Sequence, residues 1–263
     1  MRLDQYLAIN HYFESRNQAA AAIKKGYFAV NGKVTTRPSC EVPEGAQVVQ
    51  VKNAPQYVAR SAHKLLHGFA CFKPDWAGKI VADFGASTGG FCQVLLEHGV
   101  GKIYAVDIGT AQLHPLISRD TRVLNMEHVN ARYLTAADFP EPIEAITADL
   151  SFISLKAVLP AIFKTLCPGG QAITLVKPQF EAGQAYLNKS GIVSDRGVHR
   201  KILADVSNFA AELGFSIRGI CFSGLAGSAG NREYLIFMEK SAQGSIQILP
   251  AVDRAILMED ADE

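Results

Sequence analysis

The strongest chemical signal in the chain is Asp83-Phe84-Gly85-Ala86-Ser87-Thr88-Gly89-Gly90-Phe91, which follows an apolar strand-like run and opens a helical pattern. Glycines there let the backbone approach a ligand closely, and doubly wound sheets bind ligands at the C-terminal ends of their strands. The run lacks Gly-x-x-x-x-Gly-Lys-Ser/Thr, which excludes a triphosphate P-loop, and lacking Gly-x-Gly-x-x-Gly it fits a dinucleotide fingerprint poorly. About twenty residues later Asp107 ends the next apolar run, where an acid commonly receives the ribose hydroxyls of a bound nucleoside. Four further polar residues fall where strands or helices end. Lys64 lies on a helical stretch before the first strand, Asp149 ends a strand in Asp149-Leu150-Ser151-Phe152, Lys177 ends one in Val176-Lys177-Pro178, and Glu233 begins the last strand. Each alone reads as a surface charge. Lys177 is the exception, because it closes the apolar run Ala172-Ile173-Thr174-Leu175-Val176 and needs carboxylates nearby to account for it.

A glycine loop with a ribose-binding acid one strand later is the general pattern of S-adenosyl-L-methionine-dependent methyltransferases; the bland alternative is a glycine turn needed only for packing. The expected cofactor is therefore S-adenosyl-L-methionine. The elements that must position these residues are short strand-like runs at Ile80–Gly85, Lys102–Ile108, Arg122–Met126, Ala145–Leu150 and Ala172–Val176, alternating with helical stretches near 88–98, 110–119, 154–167 and 195–213. Such alternation predicts an α/β fold with a doubly wound, mostly parallel sheet. Ile217–Phe222 and Tyr234–Glu239 have no helix between them and read as an antiparallel hairpin at one edge. Upstream lies a small α+β module of two short helices within residues 2–25, a strand that turns at Asn31-Gly32, and a further strand over Ala46–Lys52. Asn-Gly is the strongest short hairpin signal. The expected organisation is a module at 1–55, a linker at 56–60, a catalytic domain at 61–240 and an acidic tail at 241–263 lacking ordered structure.

Charge follows this division. Residues 1–60 carry eight Lys and Arg against four Asp and Glu, whereas residues 61–263 carry 18 against 21. A basic head on a near-neutral body suits a polyanionic partner, although a solvated surface without a partner has the same composition. No stretch of 18 apolar residues offers a membrane span, and the N-terminus lacks a signal-like apolar core, so a cytoplasmic location with reduced cysteines is expected. The five cysteines are scattered and never spaced as Cys-x-x-Cys, which argues against a disulfide framework or structural zinc site. His63 and His67 stand four apart as zinc ligands can, but no third ligand is evident, so no metal is expected.

The chain resembles the TlyA family, often labelled haemolysins, whose members are ribosomal RNA cytidine 2′-O-methyltransferases with an FtsJ-like methyltransferase domain. The matching stretches are Ser15-Arg16-Asn17-Gln18-Ala19-Ala20, Gly32-Lys33, Ala62-His63-Lys64-Leu65, the glycine loop from Gly85 to Phe91, Ala148-Asp149-Leu150-Ser151-Phe152-Ile153-Ser154-Leu155, Leu175-Val176-Lys177-Pro178-Gln179-Phe180-Glu181 and Gly230-Asn231-x-Glu233-Tyr234. The resemblance implies that residues 1–55 form an alpha-L RNA-binding domain on a Rossmann-like methyltransferase domain, and that Lys64, Asp149, Lys177 and Glu233 form the Lys-Asp-Lys-Glu tetrad of ribose 2′-O-methyltransferases.

The residues expected to line the cofactor are Asp83, Gly85, Ala86, Ser87, Thr88, Gly89, Gly90, Phe91, Asp107, Ile108, Asn130 and Asp149. Since the sulfonium already activates the methyl group, the protein must supply an in-line oxygen nucleophile and a route for its proton. Lys177, depressed in pKa by burial beside Lys64, is the expected base, with Asp149 and Glu233 holding the lysines. Arg2, Arg16, Lys24, Lys25, Lys33 and Arg37 are expected to contact phosphates of ribosomal RNA or a ribosomal subunit, with folded RNA selected by shape. Tyr6 and Phe28 suit base stacking less well than core packing. Two other readings stand beside this one. A catalytically inactive ribosome-assembly factor has no need of a four-residue constellation, and a membrane-damaging haemolysin needs an inserting segment that is not visible.

Overall fold

The computed structural model describes every residue except 11, 14, 52–56, 228–229 and 259–263. The chain divides into two compact units, Met1–Gln56 and Tyr57–Glu263.

In the first unit, α1 (Leu3–Ile9) and α2 (Arg16–Lys24) precede a three-stranded antiparallel sheet of β1 (Phe28–Val30), β2 (Lys33–Thr35) and β3 (Val48–Gln50), in the order β2-β1-β3. Ser15 starts α2 by accepting the Gln18 amide on its side chain, satisfying one of the orphan donors of a helix start. Asn31 and Gly32 both take positive φ, 49° and 76°, the backbone that a two-residue hairpin between right-twisted strands demands. Phe28 is fully buried among Leu3, Leu7, Ile23 and Val42, with Tyr12 and Phe13 edge-on to its ring. It is a core residue, and base stacking is excluded for it.

The second unit is a seven-stranded sheet in the order β6-β5-β4-β7-β8-β10-β9. Its elements in chain order are α3 (Ala62–Phe72), β4 (Ile80–Phe84), α4 (Gly90–Glu97), β5 (Lys102–Val106), α5 (Pro115–Ser118), β6 (Val123–Met126), β7 (Ile143–Ala148), α6 (Leu159–Thr165), β8 (Leu166–Val176), α7 (Pro178–Glu181), α8 (Arg196–Glu212), β9 (Ser216–Phe222), β10 (Tyr234–Glu239) and α9 (Ile248–Leu257). The strands from β6 to β8 run parallel, and β10 pairs antiparallel with both β8 and β9. Strand order reverses between β4 and β7, the place where open α/β sheets bind ligands. Alternate strand residues serve two cores: Val81, Ile103, Ala145 and Ile173 face α3 and α4, whereas Ala82, Tyr104, Ile146 and Ala172 face α6, α8 and α9.

The structure departs from the sequence reading in three places. The helix expected over 110–119 shrinks to the single turn of α5, because Ala111 takes a left-handed φ of 50° and Pro115 can only open a helix. Residues 57–60 are not linker: the Tyr57 hydroxyl donates to Glu97 at 2.9 Å and the Val58 amide donates to Gln93 at 2.8 Å, so both sit against α4. The expected tail carries α9, whose Ala251, Val252, Ala255 and Ile256 are buried against the core beside α8 and β9. Apolar residues at helical spacing outweigh the composition there, and the acidic run at 259–263 lies outside the described residues.

Candidate active site

Lys64, Asp149, Lys177 and Glu233 come from four separate elements and meet as two ion pairs. Lys64, in the first turn of α3, places Nζ 2.5 Å from Glu233 Oε2, and Glu233 immediately precedes β10. Lys177, just past β8, places Nζ 2.7 Å from Asp149 Oδ1, just past β7, and donates to Ser151 Oγ at 2.9 Å. Lys64, Lys177 and Glu233 are 7%, 9% and 3% exposed. Charges this deep must be paired, since breaking a buried pair costs about 3–5 kcal/mol. Lys64, Lys177 and Glu233 line one cleft of about 490 Å³, within the size range of small-molecule sites.

Several residues at or beside the cleft stand in the stretches shared with the family, but the sequence alone assigns them no role. Gln179 donates to the free Glu233 oxygen at 3.1 Å, fixing the carboxylate that holds Lys64. Glu181 reaches back to accept from Ser154 Oγ and the Leu155 amide, each at 2.6 Å, which ties the segment after β8 to the segment after β7. Burial raises the Glu181 carboxyl above the usual carboxylate range. Asn231 is buried under the cleft and bridges chain segments, donating to Gly191 O and accepting from the Val193 amide. Phe152 takes a φ of 64° and is 91% exposed at the cleft rim, with its ring 5.2 Å from that of Phe180. Left-handed backbone at a non-glycine residue is costly, and here it holds an aromatic ring in solvent at the rim of the cleft.

The glycine loop links β4 to α4 beside this cleft. Gly85 has a φ of 82°, and a Cβ on it would lie 2.7 Å from the Asp149 carbonyl oxygen, so the loop presses against the residue that pairs with Lys177. Ser87 and Thr88 are exposed. Asp107, just past β5, accepts the Ser87 amide at 2.8 Å and the Gly109 amide at 2.7 Å, one on each oxygen. Each oxygen retains acceptor capacity for a ligand hydroxyl. Ile108 is 68% exposed beside it, and Asn130 is exposed with its side-chain oxygen engaged by the Arg132 amide. A carboxylate with acceptor capacity, an exposed apolar side chain and the exposed Ser87–Thr88 turn suit a nucleoside bearing an amino-acid arm, so these residues fit S-adenosyl-L-methionine.

Five of the residues expected at the cofactor are buried, among them Ala86, which packs into the α3–α4 core. Asp83 is wholly buried behind the loop, accepting from Thr147 Oγ1 at 2.7 Å and Cys92 Sγ at 3.2 Å. Burial, with help from the charges of Asp149 and Asp107 and against those two hydrogen bonds, pushes its carboxyl up to about 7. Phe91 is buried in the α3–α4 core, because it projects from the first turn of α4 onto the sheet. Gly89 and Gly90 are buried too and pack on Ile117 and Ala59.

In the first unit, Lys24, Lys25, Lys33 and Arg37 are exposed. Arg2 and Arg16, about half exposed, both pair with the buried Asp4 at 3.0 and 3.1 Å, and the arginines hold the Asp4 carboxyl at about 2. Their first role is to neutralise that acid.

Comparison with known proteins matches residues 57–240 to the FtsJ-like methyltransferase family and residues 1–48 to the S4 domain. The chain is 35% identical to the 16S/23S rRNA (cytidine-2′-O)-methyltransferase TlyA of Mycobacterium tuberculosis over 97% of both chains. The chain belongs to the TlyA family. Another relative, hemolysin A of Brachyspira hyodysenteriae, is 38% identical over 89% of this chain and 98% of its own length. The solved structure of a hemolysin-named protein of Streptococcus thermophilus, 37% identical, superposes with a TM-score of 0.76 over 97% of this TlyA-family chain and 94% of its own. Among the described residues no helix is long and apolar enough to cross a membrane.

Proposed function

We propose that this chain is a cytoplasmic ribosomal RNA methyltransferase that places the methyl group of S-adenosyl-L-methionine on a cytidine ribose 2′-oxygen. The observation that carries the reading is the pair of lysine–carboxylate contacts, Lys64 with Glu233 and Lys177 with Asp149, whose two lysines and Glu233 line one cleft. The bound cofactor supplies a methyl group already activated by its sulfonium. Asp107, Ile108 and the Gly85–Thr88 backbone hold it. What remains for the protein is to orient a hydroxyl in line and remove its proton. Lys177 has the place for both tasks: Asp149 and Ser151 fix its Nζ, and in its neutral form that nitrogen takes the proton of the ribose hydroxyl. Lys64 adds positive charge beside the alkoxide that forms, and Gln179 and Glu233 keep it there. The exposed Phe152 ring offers a stacking face to an extruded target base at the rim. Tritiated methyl transfer to naked ribosomal RNA, isolated subunits and whole ribosomes, followed by nuclease mapping, tests the reading. Label on a cytidine ribose supports it, and label on a base, or none on any substrate, overturns it.

A further inference from the structure

Behind Lys64, α3 carries a second set of chemically capable side chains that methyl transfer does not use. His67 and Cys71 stand one helical turn apart and project from the same side of α3. Cys221, on the edge strand β9, faces them. One ligand atom from each of the three lies within 4.8 Å of the others, and Cys71 Sγ is 3.3 Å from His67 Nε2. Residues 150 positions apart in sequence thus converge, which no Cys-x-x-Cys spacing would reveal.

We propose that His67, Cys71 and Cys221 form a binding site for a thiophilic divalent cation of the zinc type. Two thiolates and an imidazole are the ligand types such ions select. A tetrahedral ion, with bonds of about 2.3 Å to sulfur and 2.0–2.1 Å to nitrogen, sets ligand atoms about 3.5–3.8 Å apart. The observed spread needs only side-chain rotation to reach this. Both thiols bind as thiolates, their protons passing to water. Three protein ligands leave the fourth position to water. Access exists, because Cys71 is exposed and, together with Cys221, lines a groove of about 750 Å³ that also holds Met258. The site is coupled to the catalytic cleft by position. His67 lies one turn beyond Lys64, and its ring packs against Gly224, where a Cβ would come within 2.8 Å, at the start of the loop that runs to Glu233. An ion there ties α3 to β9 and so braces both partners of the Lys64–Glu233 pair.

The test uses full-length protein, stripped with a chelator and kept reduced with a phosphine, titrated with cobalt(II) and then with zinc(II) against a chromogenic chelator. Wild type should bind one cobalt per chain, with thiolate-to-cobalt charge-transfer bands in the near ultraviolet and tetrahedral bands in the visible, and zinc should displace it. Cys71→Ser and His67→Gln, at solvent-accessible positions, should weaken zinc by more than the about 10–100-fold that losing a ligand's hydrogen-bond partner costs. Cys40→Ser, in the first unit, should change nothing. Zinc should raise the melting temperature of wild type and not that of Cys71→Ser. Absence of thiolate–cobalt bands in reduced wild type, or unchanged zinc affinity in both Cys71→Ser and His67→Gln, overturns the proposal.

Discussion

At the residue scale the decisive atom is Lys177 Nζ. Asp149 and Ser151 hold it in the cleft, and the proposed mechanism makes it the group that meets the nucleophile. Lys177→Ala should lower single-turnover methyl transfer by about 10²–10⁴-fold, the usual contribution of a positioned general base, while cofactor affinity measured by calorimetry stays near wild type. Lys177→Arg should be nearly as inactive, since a guanidinium stays protonated and is planar where an ammonium is compact. Near-normal turnover in the arginine variant would show that the amine is only a positive anchor. Asp83 makes a different prediction, about stability. Its carboxyl titrates at about 7 in the fold against an ordinary 3.8, so the folded chain binds that proton more tightly than the unfolded chain does. The stability it contributes is complete below about pH 4 and is lost as pH rises through about 7, by on the order of 4 kcal/mol. Asp83→Asn cannot lose that proton. Urea unfolding from pH 5 to 8 should therefore show the variant gaining on wild type as pH rises, and a constant difference would place the titration on another group.

At the element scale, the glycine loop and the segment after β7 act as one piece. The backbone of Gly85 presses on the Asp149 carbonyl, and Glu181 ties the segments after β7 and β8 together. Gly85→Ala should cost about 1–3 kcal/mol from backbone strain alone and also push on Asp149, so methyl transfer should fall with stability. Gly78 is the control, with a similar φ of 74° and open space where a Cβ would go. Gly78→Ala should lose stability and keep activity per folded molecule; equal activity losses in the two variants would refute the coupling. The same elements show what the sequence could reveal. The strands were legible as apolar runs, with Asp149 and Lys177 as charges at the ends of two of them, whereas Lys64, on a helix, and Glu233 were joined to them only by the family resemblance. Asp83 adjoins the glycines and reads as a loop residue, yet it is the last residue of β4 on the face toward α4, in a strand covered on both faces. The bond from the Leu155 amide to Glu181 at the 3₁₀ turn Leu155–Ala157, and the bonds of buried Asn231, join distant segments. No local periodicity encodes those. The convergence of His67 and Cys71 with Cys221 was hidden for the same reason, since only the packing of α3 against β9 brings them together.

At the scale of the whole molecule, the proposed function assigns chemistry and RNA affinity to different units. The tetrad lies in the second unit, whereas the surplus of basic residues lies in the first, whose fold is that of an S4 domain. Within it the six basic residues expected to meet phosphates are not equivalent. Arg2 and Arg16 are held by Asp4, and removing either leaves a buried carboxylate short of a partner, so their substitution would confuse RNA binding with unfolding. Lys24 and Lys25 close α2, are exposed, and support no buried charge. They isolate the electrostatic term. Neutralising a phosphate contact removes about 0.7–0.9 from the slope of log affinity against log salt. The double variant Lys24→Gln, Lys25→Gln should therefore flatten that slope by about 1.4–1.8 if both lysines meet phosphates, with weaker binding at low salt and convergence toward wild type at high salt. Turnover at saturating RNA should be unchanged, because the ion pairs of the cleft are untouched. Lys201→Gln on α8, an exposed change of the same charge in the second unit, is the comparison. If it flattens the slope as much as one of the two head lysines does, RNA runs over both units, and the head is an extension of the binding surface rather than its seat.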